Sequence, residues 1–139
     1  MMRAMKGVQL SRYEVEAVKP LVFTAKLRDE NLVVMVYLIP TAVYAEGDRI
    51  ALVVSSPVVT VVTDKPRAGE TCSPQKFQSR EAVVPEIDVV SEGGTEIRVN
   101  GRKVRLNVKV TNVNVYPDLR DDFGNPCVSL GWIQLTAVE

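Results

Sequence analysis

Cationic side chains crowd one short stretch of this chain. Arg98, Arg102, Lys103, Arg105 and Lys109 fall within about 12 residues, with only Glu96 in opposition. Guanidinium and ammonium groups at that density can track phosphates, and a two-stranded β-ribbon that carries them can enter a DNA major groove. Nucleic acid or another polyanion is therefore one partner to expect. The plainer reading is a solvated strand face, because exposed Lys and Arg discourage edge-to-edge pairing of sheets. No aromatic residue is interleaved on that face to stack unpaired bases.

A second group is acidic. Asp118, Asp121 and Asp122, with Asn125, lie in the turn-rich segment PDLRDDFGNP. Clustered carboxylates on a loop are the donor type that calcium and magnesium take, which makes the three aspartates candidate metal ligands. Their spacing lacks the alternating acidic positions and distant Glu of an EF-hand, and Arg120 is placed to neutralise them. A hydrogen-bonded turn is the default. The letters Asp122-Phe123-Gly124 match a kinase metal motif, without the catalytic and glycine-rich loops that would give them meaning.

The two cysteines, Cys72 and Cys127, are too few for a secreted disulfide scaffold and too far apart for a CxxC motif. Both sit beside prolines in turn-like segments. A long-range disulfide between them is open, with two separate thiols as the default. Cys72 has Lys65, Arg67 and Lys76 near it in sequence to lower a thiol pKa, yet no base to make it a nucleophile. The chain contains no histidine, which excludes Ser-His and Cys-His pairs and imidazole metal ligands. No glycine motif of the phosphate-cradling kind is present, and no cofactor is expected. The chain reads as a non-enzyme.

The element that positions the cations is legible in detail. Asn100-Gly101 suits the positive φ of a two-residue type I′ turn, and apolar and polar residues alternate on both sides of it. Closing Val99 on Arg102 sets Arg98 opposite Lys103, Ile97 opposite Val104 and Glu96 opposite Arg105. Ile97, Val99, Val104, Leu106, Val108 and Val110 then share one face, and Glu96, Arg98, Lys103, Arg105, Asn107 and Lys109 share the other, with Arg102 at the turn. A one-residue slip would invert the set.

Around this hairpin the sequence predicts a single β domain over residues 1–139. Roughly a fifth of the residues are valine, and 46% are hydrophobic. From Gly7 to Val18 the alternation changes phase at Ser11-Arg12, which favours a bulged strand over a two-turn helix stopped by Pro20. Leu21 to Arg28 reads as a half-buried strand. Leu32 to Ile39, apolar on both faces, reads as a central strand covered on both sides and ended by Pro40. Ile50 to Val54 and Val58 to Val62 read as two strands interrupted by Ser55-Ser56-Pro57. Residues 64–81 lose periodicity and form the longest polar loop. Pro85 confines Ala82 to Val90 to an edge or a bulge. Parity shifts near Thr111-Asn112 and Gly131 point to further bulges.

About eight short strands result, with one short helix at most, arranged as an antiparallel β-sandwich or barrel. Seventeen basic and seventeen acidic residues cancel, so no net field selects a partner. Met1 to Met5 is too short and mixed for a signal peptide, and no apolar run reaches membrane length. A soluble, intracellular protein is expected, without a membrane partner. Binding rather than chemistry is the expected role, through self-association into a homo-oligomer or through another protein.

Overall fold

The computed structural model describes residues 7–139; the segment Met1 to Met5 lies outside the described residues. Ten strands and one short helix are present among them: β1 (Gln9–Ser11), β2 (Glu14–Lys19), β3 (Leu21–Lys26), β4 (Asn31–Glu46), β5 (Arg49–Thr63), β6 (Glu70–Thr71), α1 (Pro74–Ser79), β7 (Glu86–Ser91), β8 (Gly94–Val99), β9 (Arg102–Arg120) and β10 (Pro126–Val138). They form two five-stranded sheets packed face to face, and the sheets do not close into a barrel.

Each sheet is built on one long strand. In the first sheet β5 pairs with β4 along its whole length, from Leu32 to Glu46. The other edge of β4 is shared end to end: β3 takes Asn31 to Val36 and β1 takes Val43 to Ala45. β7 lies outside β3. In the second sheet β10 pairs along β9, while the opposite edge of β9 is shared by β8, by Val83 and by a two-residue parallel contact with β6. β2 completes this sheet outside β8. β5 and β10, the long outer strands, meet along one side of the sandwich, where the Gln134 amide donates to the Val53 carbonyl at 3.0 Å.

The core lies between the sheets in two connected lengths. Leu21, Phe23, Ala25, Leu32, Val34 and Val36 pack on Val113 and Val115 at one end. Leu38, Val43 and Val53 pack on Ile97, Val99, Val104 and Leu106 at the other. The alternation around Asn100-Gly101 dictates this arrangement, because period-2 residues enter the core together.

Several sequence expectations are corrected. The phase change at Ser11-Arg12 is a corner, not a bulge within one strand: β1 belongs to the first sheet and β2 to the second. β4 does not end at Pro40. It continues to Glu46 with a bulge at Thr41, because no neighbour pairs with β4 between Val36 and Val43 on that edge and the missing N–H costs nothing there. Likewise Ser55-Ser56-Pro57 does not divide β5, an outer strand that tolerates proline. β4 is covered on one face only: Leu32, Val34, Val36 and Leu38 are buried, while Val33 and Ile39 are exposed on the other. The helix forms at Pro74–Ser79, inside the long polar loop, where the Ser73 hydroxyl accepts from the Lys76 amide and Pro74 occupies the first turn.

Candidate functional site

The hairpin forms in the register the alternation requires. Val99 pairs with Arg102, Arg98 with Lys103, Ile97 with Val104 and Glu96 with Arg105. Asn100 and Gly101 take φ of 50° and 77°. The parity shift after Val110 is a bulge at Thr111, placed where Gly131 opposes Asn112; a Cβ on Gly131 would collide with the Asn112 side chain.

The cations that this register gathers are largely met by partners of their own. Arg98 Nε lies 3.1 Å from Glu16 Oε1, and Lys103 Nζ lies 3.4 Å from Glu96. Arg105 reaches the same Glu96 at 4.0 Å and donates to the Gly93 carbonyl. Arg102 donates to the Asp48 carbonyl at 3.3 Å. Of the five, Arg102 and Lys109 make no ion pair among the described residues. Glu16 relieves the repulsion that Arg98 opposite Lys103 implies in the hairpin alone. β2 brings it in from 82 residues away in sequence.

The acidic loop does not gather its carboxylates. Asp121 accepts from the amides of Phe123 and Asn125, both at 2.9 Å, and from the Asn125 side chain. Desolvation opposes its charge and is outweighed by these donors, so its pKa lies below the ordinary carboxylate value. Asp118 and Asp122 are exposed, and among the described residues no three His, Cys, Asp or Glu side chains come together as a metal group. Arg120 does not neutralise the aspartates. It is 2% exposed and forms a two-pronged pair with Glu30, itself 5% exposed, at 2.7 and 2.8 Å. Its remaining donors go to the carbonyls of Pro117 and Gly124. Thr63 donates its hydroxyl to the same Glu30 carboxylate. The Arg120 bonds hold the Glu30 carboxyl below its usual pKa against the cost of burial.

Cys72 and Cys127 are joined as a disulfide, with Cα atoms 5.9 Å apart. The bond ties the long loop to the start of β10. Phe77 stacks on Tyr116 with ring centres 4.4 Å apart, and Val83 exchanges two backbone hydrogen bonds with Val115. The loop therefore covers the far edge of β9. Comparison with family models, curated proteins and solved structures finds no match. The reading of this molecule rests on its own surfaces.

Two outer strands are almost free of charge. β5, RIALVVSSPVVTVVT, carries a single charge, Arg49, at its turn end, and β10, PCVSLGWIQLTAV, carries none. Leu52, Val54, Val58, Val59 and Val62 on β5, and Ile133, Leu135 and Val138 on β10, are exposed. Val62 and Val58 lie opposite Val33 and Tyr37 of β4, which extends the apolar surface onto the outer face of the first sheet. Each strand's composition was readable from the sequence. Its position at an edge was not.

Proposed function

We propose that this protein is a non-enzymatic β-sandwich module that associates with further copies of itself along the side formed by β5 and β10. The observation that carries the reading is that two long outer strands that lie together carry a single charge between them, Arg49 at the turn end of β5. Outer strands expose unpaired backbone groups, and isolated proteins protect them with lysine, inward charges or very short length. Here Pro57 and one bulge are the main protection. A strip about 50 Å long, from 15 residues at about 3.3 Å each, and about 10 Å across gives on the order of 500 Å² per copy. Pairing two such strips buries about 1,000 Å², the lower bound for a specific interface, before the outer face of β4 is added.

Light scattering across a concentration series tests the reading. The native chain is expected to associate, and the double variant Val58→Lys, Leu135→Lys to remain monomeric with an unchanged fold. A native monomer at high protein concentration refutes it. No helix among the described residues is long and apolar enough to cross a membrane. The intracellular location expected from the sequence is opposed by the disulfide, a bond that a reducing cytosol removes from most proteins. Counting free thiols in protein taken directly from its cells decides the matter.

A further inference from the structure

The two long strands share a design, and the design is completed in only one of them. Each has a stretch of edge left vacant between the two partners that share it. In β4 the vacancy runs from Tyr37 to Ala42, and side chains close it: the Thr95 hydroxyl donates to the Leu38 carbonyl at 2.7 Å and the Tyr13 hydroxyl to the Pro40 carbonyl at 3.1 Å. In β9 pairing with β8 stops at Leu106 and resumes with Val83 at Val115. Asn107 to Asn112 lie between.

The direction of the backbone groups in that interval follows from strand period. A two-residue hairpin closes on a bonded Val99–Arg102 pair, so Arg102, Val104 and Leu106 face β8, and Val108 and Val110 face the same edge. After the bulge Val115 faces it again, giving both its N–H and its C=O to Val83. Val108 and Val110 therefore present their N–H and C=O groups to the vacancy, and among the described residues no strand or side chain bonds to them there.

Beside the vacancy lies a cavity of about 650 Å³. Its walls include Leu21, Phe23, Ile87, Val89, Val108 and Val110; its rim carries Glu92, Arg105, which already reaches Glu96, and Lys109, which makes no ion pair among the described residues. An unpaired edge with an apolar hollow beneath it is what binding of an extended peptide by strand addition needs, and a free cation beside it favours acidic residues in the guest.

We propose that the Asn107 to Asn112 edge of β9 is a docking slot for a short extended segment of a partner protein in which apolar residues alternate with acidic ones. The segment adds antiparallel, as β8 and Val83 do at either end. Its apolar side chains enter the cavity, and its acidic side chains face Lys109 and Arg105. Six residues of edge, about 20 Å, admit four or five residues of the guest. The slot lies on the edge of β9 away from β10; Leu135 of β10 also lines its cavity, so the slot is tested on the native chain and the association separately by its light scattering.

The probe is the capped peptide Val-Glu-Val-Glu-Val, titrated into the native chain and followed by amide NMR. Saturable binding is expected, with the largest shifts and slowed hydrogen exchange at the amides of Val108 and Val110. Methylating the peptide nitrogens that face β9 is expected to weaken binding at least about tenfold, because it removes donors without changing charge, while the added methyl groups would favour rather than oppose purely apolar binding. Lys109→Glu is expected to weaken it as well, with melting temperature as the check on folding. Three results overturn the proposal: no binding at millimolar peptide, equal binding of the methylated peptide, or displacement by decanoate with unchanged Val108 and Val110 exchange. The last would make the cavity a site for amphiphiles.

Discussion

Breaking the Cys72–Cys127 bond is expected to lower stability sharply while leaving the fold in place. The bond closes a loop of 55 residues, and the chain-entropy relation gives a loss of about 14 cal/mol/K, or about 4 kcal/mol at 25 °C. For 139 residues the unfolding entropy is about 290 cal/mol/K, so the melting temperature should fall by about 15 °C. The native arrangement survives because the Phe77–Tyr116 stack and the Val83–Val115 bonds still hold the loop on β9. Thermal melts by circular dichroism, with and without a phosphine reductant, measure the shift; a thiol count confirms reduction. The double variant Cys72→Ala, Cys127→Ala should reproduce it. A fall of less than about 3 °C with both thiols free would show that the loop stays equally confined in the unfolded chain, and the entropic reasoning would fail.

Two further expectations concern charge. Arg120→Met strands the buried Glu30 carboxylate and should cost about 3–5 kcal/mol in denaturant unfolding, whereas Arg120→Met with Glu30→Met should recover much of it; equal losses in the two would contradict the coupling. Because the folded pKa of Glu30 lies below its ordinary value of 4.5, its contribution is complete above that pH and is lost as pH falls through the lower folded value. Glu30→Gln should therefore flatten the acid side of the stability profile, and an unchanged profile would remove the claim. Oligonucleotides should bind weakly, since Glu16 and Glu96 meet Arg98, Lys103 and Arg105. Tight, salt-sensitive binding abolished by Arg98→Gln with Lys103→Gln would restore the polyanion reading.

What could be read from the sequence was whatever strand period and a turn dipeptide encode locally. The Asn100-Gly101 hairpin was legible to the residue pair, and the parity shifts at Thr111-Asn112 and Gly131 were legible too, though they are the two sides of one bulge. Proline misled the reading of Pro40 and Pro57. A proline interrupts a strand only where a neighbour needs its N–H, and which edges are vacant is decided by strands far away in the chain. The Glu30–Arg120 pair, 90 residues apart, carries no local signal at all; each residue looks like an ordinary turn charge. The disulfide was visible only as two cysteines in turns. The register of the cations was legible, but the partner of Arg98 comes from β2, whose place beside β8 no pattern announces.

The sandwich is fastened unequally along its length. One end holds the covalent bridge, the buried Glu30–Arg120 pair and the Asn31–Asp64 contact. The other holds the turns at Gly47 and Gly101, with β1 held there by three pairs and Glu139 by one amide. Thermal opening should thus behave like a clasped book, fanning first at the loose end and dying out toward the spine. Native-state hydrogen exchange would grade from fast near Gly101 to slow near Arg120.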